Sequence, residues 1–294
     1  MRELSFTVPI EYNGITVKSF LRNYCKVSSR LMIKLKREPM GITNNGVHTI
    51  VTDMLAAGDV IKLCIPQDEK MIEPVNLPLN VLYEDRDVLI IDKPADMPMY
   101  PAPRHDCDSL ANAVSAYYQN NNEKISFRPV YRLDKDTTGI VVIAKNSYSA
   151  ARLSGKIDKE YIAICEGKLN GSGIFCDPIG LKQGHGIQRE VTKSGEKAIT
   201  NWKVISNSEN HSLVYIKLET GRTHQIRVHF SHYNHPLAGD DMYGGSLSYI
   251  SRQALHCAKI SFIHPVTGKK LKFESGFPKD MQSLILKCCL KINK

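Results

Sequence analysis

The chain has 294 residues, with 39 Lys and Arg against 30 Asp and Glu, which gives a net charge of +9 and a pI near 9.0. Its length predicts a large domain plus a smaller one, and the 42% of hydrophobic residues excludes a disordered chain. No apolar run approaches the roughly 20 residues that span a bilayer, and residues 1–5 lack the apolar core of a signal peptide. We therefore expect a cytoplasmic protein, and the basic excess suggests a nucleic acid or another anionic surface as its partner.

The eight cysteines are scattered and form no Cys-x-x-Cys pair. Metal-finger spacing is therefore absent, and a disulfide framework is not expected in so long a chain. We interpret these residues as free thiols.

The first 66 residues have the pattern of a small module in which two helices lie between two strands. Four alternating apolar residues predict the opening strand: Leu4, Phe6, Val8 and Ile10. Thr16 and the pair Ser28-Ser29 are predicted N-caps, which favours two short helices over one long helix. A turn-rich segment at residues 41–46 and a strand at residues 58–63 complete the module.

Seven basic residues and no acidic residue lie between positions 18 and 37. Five of them recur at intervals of four: Lys18, Arg22, Lys26, Arg30 and Lys34. On a helix this spacing stacks side chains along one slowly drifting face. Interleaved apolar residues mark the predicted buried face: Val17, Phe20, Leu21 and Tyr24. Because a merely solvated helix face usually mixes both signs of charge, we interpret the five basic residues as a nucleic-acid contact.

Residues 67–80 lack periodicity and contain two prolines, which predicts a linker. The rest of the chain, residues 81–294, shows more strands than helices. The predicted strands are residues 81–83, 88–91, 139–144, 161–165 and 213–218, with a hairpin turn at 266–269. Helices are predicted after a Ser109 cap and at residues 147–156. Because the helices are interspersed irregularly, we predict an α+β fold with a mixed, largely antiparallel sheet rather than a regular βαβ array.

The first segment that carries chemical groups is residues 132–139, just before a predicted strand. Asp134 lies there on a loop, flanked by Arg132 and by the hydroxyl groups of Thr137 and Thr138. A carboxylate in this position is suited to act as a base or a nucleophile.

The second segment is residues 220–229, where a Thr-Gly turn opens a predicted helix. Ile226, Phe230 and Tyr233 are predicted to lie on its buried side. His224 and Arg227 are three residues apart, so both side chains could point the same way.

These segments allow two other interpretations. Four histidines suggest a metal site: His224, His229, His232 and His235. Zinc sites usually add a carboxylate or Cys ligand, which this run lacks, so we expect no metal there. Asp134 and Asp136 could form a glycosidase pair, which needs carboxylates ~5–9.5 Å apart, but the surrounding Arg-rich motifs argue against it.

Together these motifs resemble those of RNA pseudouridine synthases, typified by the A/D-type enzymes that act on large-subunit ribosomal RNA. The family pattern His-Arg-Leu-Asp-x-x-Thr-Ser/Thr-Gly corresponds to residues 131–139, and Thr-Gly-Arg-x-His-Gln-Ile-Arg-x-His to residues 220–229. Further matching segments follow the family's order: residues 92–98, 159–161, 235–244 and 255–257. The resemblance extends from about residue 81 to 278. Three positions depart from the family: Tyr131 and Tyr100 each replace a His, and Asp96 replaces a Gly.

Residues 1–66 resemble the S4 RNA-binding domain, which precedes the catalytic domain in many members of this family. The Ser29-Arg30 step and the closing Gly58-Asp59 pair carry this second resemblance. It implies that the basic residues of this module bind RNA.

The resemblance implies a reaction in which the N1–C1′ bond of a uridine breaks, the base rotates, and C5 joins C1′. Neither a metal nor an organic cofactor is required. Asp134 is implied as the essential carboxylate, with Tyr161 and Arg227 beside it in the active site. Five residues are expected to contact the substrate RNA or support the site: Arg132, Thr137, Arg222, His224 and Gln225.

We expect a monomer whose partner is RNA, ribosomal RNA in the first place and transfer RNA as the alternative. One rival function is that of a non-catalytic ribosome-assembly factor on a synthase scaffold. A second rival is a nucleoside N-glycosidase, for which the basic face at residues 18–37 would be superfluous.

Overall fold

The computed structural model describes residues 2–66 and 72–291, which form a small N-terminal sheet and a nine-stranded central sheet. The elements of the N-terminal sheet are β1 (Arg2–Thr7), α1 (Val17–Asn23), α2 (Ser29–Leu35), β2 (Ile42–Asn44), β3 (Val47–His48) and β4 (Val60–Ile65). The strands pair antiparallel in the order β1-β4-β2-β3. Helices α1 and α2, with strands β1 and β4 on either side of them in the chain, confirm the predicted module pattern.

Local chemistry fixes the ends of the N-terminal elements. The Thr16 and Ser28 side chains accept hydrogen bonds from the backbone N–H groups of Ser19 and Leu31, which confirms both predicted caps. The predicted opening strand is too long, because it ends at Thr7. Pro9 follows with no N–H to donate to a ladder, and Ile10 is exposed in a 3₁₀ turn.

The five basic residues do not form one stacked helix face, so that prediction is wrong. Lys18 and Arg22 lie on α1, and Arg30 and Lys34 lie on α2. Lys26 lies between the two helices with a positive φ of 56°, which interrupts the helical spacing.

The exposure of the basic residues and their apolar neighbours follows from the two helices. Lys18, Arg22, Lys26 and Arg30 are exposed, and Lys34 is half-buried. Three of the four predicted apolar residues are buried, whereas Tyr24 caps α1 and is exposed.

The predicted linker at residues 67–80 lies partly outside the described residues, since residues 67–71 are not among them. Residues 72–79 form neither helix nor strand. The amide of Asn112 donates to the carbonyl oxygen of Glu73, and Ile72, Leu77 and Leu79 pack against the main core. The described part of this segment is therefore packed against the protein rather than free of it.

The central sheet contains β5 (Asn80–Glu84), β6 (Val88–Lys93), β7 (Thr138–Ala144), β8 (Asp158–Glu166), β9 (Ser172–Phe175), β12 (Thr200–Asn207), β13 (His211–Leu218), β14 (Leu255–Ile263) and β15 (Lys270–Glu274). A separate hairpin consists of β10 (Ile179–Leu181) and β11 (Arg189–Val191). The helices are α3 (Leu110–Asn120), α4 (Ser147–Leu153), α5 (Gln225–His232) and α6 (Lys279–Lys287). The strand order is β5-β6-β7-β14-β8-β13-β12-β9, with β15 beside β14. Only β7 and β14 pair in parallel among the described strands, which confirms the largely antiparallel α+β prediction.

The one parallel pair brings the Asp134 segment towards the middle of the sheet. All seven residues of β7 are buried, as expected for a β-branched run covered on both faces. Gly139 has a φ of +114°, and a side chain there would meet the backbone of Cys257 on β14. Glycine therefore permits the close approach that places the loop before β7 next to β14.

The N-terminal sheet is docked on the central sheet by polar contacts. Arg2 donates through Nε and Nη2 to the buried carboxylate of Asp87, at 3.0 and 2.7 Å. The hydroxyl of Tyr148 on α4 donates to the carbonyl oxygen of Cys25, and its ring belongs to the N-terminal core. Within residues 2–66 and 72–291, the helices are too short or too polar to cross a membrane.

Candidate active site

Asp134 lies on a loop that is anchored on both sides. Its backbone carbonyl accepts from the N–H of Thr137 at 3.1 Å, and Leu133 is buried in the core. On the other side, the hydroxyl of Tyr131 donates to the carbonyl oxygen of Ile140 at 2.7 Å. The Asp134 side chain itself is 27% exposed. The loop therefore holds one carboxylate at the rim of a cleft.

The buried side chain of Lys93 holds this loop by hydrogen bonds. The Nζ atom of Lys93 donates to the carbonyl oxygens of Pro94, Met97 and Lys135, at 2.8, 2.9 and 2.8 Å. Burial lowers the pKa of Lys93 to about 7. Because one of its acceptors directly follows Asp134, Lys93 ties the segment after β6 to the Asp134 loop.

Asp96, which stands where the family usually has Gly, lies in this segment. Its φ is +57°, a region that glycine adopts freely and that Asp and Asn tolerate better than other residues. Its carboxylate forms an exposed ion pair with Lys135 at 2.7 Å. Asp96 therefore adopts a backbone conformation that is open to glycine, and its side chain adds a contact to the Asp134 loop.

Arg227 on α5 points its guanidinium at two carboxylates. Its Nε and Nη2 atoms donate to the two oxygens of the buried Asp240, each at 2.7 Å, and Nη1 lies 3.2 Å from Oδ2 of Asp134. Although burial opposes the charge, these carboxylates raise the pKa of Arg227. The guanidinium is therefore a fixed cation beside Asp134.

His224 reaches the same carboxylate from the residue before α5. Its backbone is left-handed, with a φ of 55°, and its Nε2 atom lies 3.9 Å from Oδ2 of Asp134. Its Nδ1 atom lies 2.8 Å from the hydroxyl of Tyr243. The predicted common direction of His224 and Arg227 is confirmed, but it results from this turn rather than from helical spacing alone.

Tyr161 on β8 is buried at the wall of the same cleft. It pairs with Cys257 on β14 and Ile216 on β13 across the sheet. Burial raises the pKa of Tyr161 well above its ordinary value, so the hydroxyl stays protonated at neutral pH. Its ring at the cleft wall can stack on a base.

The cleft has a volume of about 480 Å³, and most of the predicted site residues line it. Its walls include Tyr100, Arg132, Asp134, Lys159, Tyr161, His224 and Arg227. Arg132 is exposed, and among the described residues no carboxylate forms an ion pair with it. A larger depression of about 730 Å³ between the two sheets contains none of the motif residues, so the smaller cleft is the candidate site.

Three predicted RNA-contact residues have other partners in the structure. Gln225 is buried, and its amide bonds to the backbone of Arg222 and Ile199 and to the Thr200 and Thr220 hydroxyl groups, which agrees with the expected supporting role rather than with an RNA contact. Thr137 is also buried, and its hydroxyl accepts from Gln253.

Arg222 remains partly exposed at the cleft. However, its guanidinium is paired with Glu196 and donates to the carbonyl oxygen of Lys197. The expected buried side of α5 also needs one correction, because Tyr233 is 41% exposed beyond the helix end.

Three of the four histidines of the metal interpretation, namely His224, His229 and His235, have separate hydrogen-bond partners. His229 bonds to Thr200 and to the carbonyl oxygen of Asp177, and His235 to the carbonyl oxygen of Glu166. In the described part of the chain, one group of carboxylates and His is close enough to share a cation, namely Asp85, Asp87 and His264. That group includes none of the four, and Arg2 already pairs with Asp87.

Three residues that were not predicted from the sequence hold the side chains and the loop of the cleft in place. Asp240 holds Arg227, Tyr243 contacts His224, and Lys93 supports the Asp134 loop. All three lie inside segments that match the family's patterns, at residues 92–98 and 235–244. Their place in those patterns was the available signal.

Comparisons with known proteins identify the family of this chain. The family model for RNA pseudouridylate synthase matches residues 87–232. The uncharacterized RNA pseudouridine synthase YjbO of Bacillus subtilis is 38% identical over 269 residues, which are 88% of this chain and 94% of that protein. Ribosomal large subunit pseudouridine synthase D of Escherichia coli is 35% identical over 238 residues, 74% of this chain and 73% of that protein.

The solved structure of human RNA pseudouridylate synthase domain containing 4 has the same fold. The TM-score is 0.59 at 21% identity, and the match covers 73% of this chain and 95% of the human chain. With sequence relatives this similar over most of its length, the chain belongs to the RNA pseudouridylate synthase family and is an isomerase that acts on RNA.

Proposed function

We propose that Asp134 is the catalytic carboxylate of this enzyme and that Arg227 is its counter-ion. The main observation that supports this proposal is the 3.2 Å contact between Arg227 Nη1 and Asp134 Oδ2 at the rim of the cleft. The guanidinium pairs with the Asp134 carboxylate and fixes its direction at the cleft. Because Arg227 is held by Asp240 on its other edge, the cation keeps its position when substrate enters.

Tyr161 and Arg132 are proposed to handle the target nucleotide. The target atoms of a uridine are inaccessible in a stacked strand, and taking the base out of the stack costs a few kcal/mol. The Tyr161 ring at the cleft wall offers a surface on which the extruded uracil can stack. Arg132, exposed at the cleft mouth, is suited to fill the vacated space or to hold a phosphate.

Release of tritium from RNA labelled at uridine C5 tests the catalytic assignment. Wild-type protein should release tritium from RNA that was prepared from a strain without this protein. The Asp134→Asn variant should release none. Asp136→Asn is the matched control, two residues away on the same loop, and should keep most of the activity. Equal loss in both variants would show that the loss is not specific to Asp134, and full activity of Asp134→Asn would refute the proposal.

We propose large-subunit ribosomal RNA as the substrate, with transfer RNA as the alternative. The proposal rests on the relatives of Escherichia coli and Vibrio cholerae whose names state action on the ribosomal large subunit, each 35% identical to this chain. Mapping pseudouridines in a deletion strain should show the loss of one or more large-subunit positions. Losses confined to transfer RNA would contradict it.

Residues 1–66 are proposed to be an S4-like RNA-binding module, with residues 81–294 as the catalytic domain. The exposed Lys18, Arg22, Lys26 and Arg30 support this role. None of them lines the cleft, so they would bind RNA outside the target nucleotide. We also propose that the protein acts in the cytoplasm as a monomer, which light scattering and cell fractionation test directly.

A further inference from the structure

His224 and Tyr243 form a hydrogen-bonded pair at the cleft that the proposed roles leave unused. Nδ1 of His224 lies 2.8 Å from the hydroxyl oxygen of Tyr243. The same hydroxyl oxygen accepts a hydrogen bond from the backbone N–H of Arg189 at 2.9 Å. Tyr243 is buried, as expected for a residue that supports others.

The hydrogen bonds of Tyr243 indicate the tautomer of His224. A tyrosine hydroxyl has one hydrogen to donate, and its oxygen already accepts from the Arg189 N–H. Among the described residues, Nδ1 of His224 is the one acceptor within bonding distance of this hydroxyl, so the Tyr243 hydrogen points to Nδ1, which then carries a lone pair. In a neutral imidazole the other nitrogen then holds the hydrogen, so His224 has an Nε2–H group.

The groups around His224 favour this neutral form. Burial and Arg227 lower the pKa of His224, with Arg189 acting in the same direction, while Asp134 and Asp240 act against them. Tyr243 adds to this preference, since a hydrogen bond donated to Nδ1 is lost when that nitrogen is protonated.

Nε2–H faces the cleft, and no acceptor in the described part of the chain lies at bonding distance from it. Its nearest carboxylate oxygen, Oδ2 of Asp134, is 3.9 Å away, which is too long for a hydrogen bond. Within residues 2–66 and 72–291, His224 makes its side-chain hydrogen bond to Tyr243. The Nε2–H group is thus a donor prepared for an atom that occupies the cleft next to Asp134.

Tyr243 also lies under the cation of the site. The guanidinium carbon of Arg227 is 5.0 Å from the centre of the Tyr243 ring, and the His224 ring meets that ring edge-on. The backbone of Tyr243 is tied to α5, because its carbonyl oxygen accepts from the hydroxyl of Ser231 at 2.7 Å. One residue therefore positions both groups that face Asp134.

We propose that His224 donates its Nε2–H to a carbonyl oxygen of the target uracil, and that Tyr243 is the positioning residue that keeps this tautomer. This inference rests on the proposed role of Asp134 in the same cleft. When the N1–C1′ bond breaks, the base keeps the electron pair, and the negative charge spreads to its carbonyl oxygens. His224 stabilises this charge by hydrogen bonding and transfers no proton, so both the base and the histidine keep their atoms through the step.

A double-mutant cycle under single-turnover conditions tests the pair. Enzyme in excess acts on ribosomal RNA labelled with tritium at uridine C5, taken from a strain that lacks the protein. His224→Ala should slow tritium release roughly 100-fold, and His224→Gln should recover much of the loss because its amide places an N–H near the Nε2 position. Tyr243→Phe should cost about tenfold with His224 present. In the His224→Gln background the same change should cost less than about twofold, since an amide needs no tautomer control.

RNA binding and pH dependence separate positioning from general structural damage. The dissociation constant for RNA should stay unchanged in each variant. The cost of Tyr243→Phe should shrink at acidic pH, because protonated His224 carries Nε2–H whether or not Tyr243 controls the tautomer, and no such change should occur in the His224→Gln background. An equal cost of Tyr243→Phe in both backgrounds, or wild-type rates in His224→Ala, would overturn the inference. Activity of Asp134→Asn would refute the proposed catalytic role instead, while the coupling between His224 and Tyr243 stays measurable.

Discussion

Arg227 Nη1 lies 3.2 Å from Asp134 Oδ2, and this contact joins residues that are 93 positions apart in the chain. Each residue comes from a different motif, one before β7 and one on α5. The pairing depends on the parallel contact of β7 with β14, which brings the Asp134 loop to the cleft. A candidate site therefore exists only once the central sheet has formed.

Removal of Arg227 should cost both stability and activity. Arg227→Met leaves the fully buried Asp240 without its partner, and breaking a buried ion pair typically lowers the free energy of unfolding by roughly 3–5 kcal/mol. The double variant Arg227→Met with Asp240→Leu should regain part of that stability but no activity. Urea denaturation and tritium release measure the two effects. Arg222→Met is the control for stability, because its partner Glu196 is exposed and such ion pairs contribute about 0–1 kcal/mol. If Arg222→Met lowered the free energy of unfolding as much as Arg227→Met, the importance of the buried pair would be contradicted.

Lys93 should make stability depend on pH in the alkaline range. Its pKa is about 7 in the folded chain, where burial disfavours the charge, against an ordinary value of 10.5. Below pH 7 both states carry the proton, whereas between pH 7 and 10.5 the unfolded state binds more protons, so stability rises with pH. Relative to Lys93→Met, the wild-type free energy of unfolding should therefore grow between about pH 7 and 10, by at most about 1.4 kcal/mol for each pH unit.

Urea denaturation at several pH values measures that difference. Lys18→Met, on the exposed face of α1, is the control and should follow the wild-type dependence on pH. A constant difference between wild type and Lys93→Met across this range would show that Lys93 stays charged in the folded protein.

The basic residues of the N-terminal module should set the salt dependence of RNA binding. Replacing Lys18, Arg22 and Arg30 by Ala removes three cations that are proposed to lie on phosphates. The slope of log affinity against log salt concentration should become shallower by about 2, because fewer counterions are released. The triple change of Lys269, Lys270 and Lys272 to Ala, at exposed positions beside or on β15, is the control. The same flattening in both triple variants would mean that net charge, and not this surface, determines the slope.

The contacts between the two sheets predict that the N-terminal module is held in a fixed position. Arg2→Met removes two hydrogen bonds to the buried Asp87 and should lower the free energy of unfolding by roughly 1–3 kcal/mol. Hydrogen exchange in β1 and β4 should rise, since the module would then separate from the central sheet more often. Tyr148→Phe, which loses one bond to Cys25, should give a smaller change of about 1 kcal/mol. Unchanged exchange in Arg2→Met would show that apolar packing alone holds the module.

The elements whose signals are local can be predicted from the sequence. Thr16, Ser28 and Ser109 cap helices because a side-chain oxygen needs only a backbone N–H three residues away. The β-branched run of β7 and the alternation in β1 likewise follow from side-chain periodicity. The family's motifs predicted Asp134, Tyr161 and Arg227 as site residues, and the structure brings all three to one cleft.

Which side chains contact each other depends on the tertiary structure. Gln225 is adjacent to His224 in the sequence, yet its amide bonds inside the protein while His224 faces the cleft, because the left-handed backbone at His224 separates their directions. Lys26 breaks a spacing that looked continuous, for the same reason of backbone geometry. Asp240, Tyr243 and Lys93 hold the cleft groups through contacts with residues distant in the sequence or on other elements. Such contacts depend on how strands pair and helices pack, and residue spacing along the chain does not encode them.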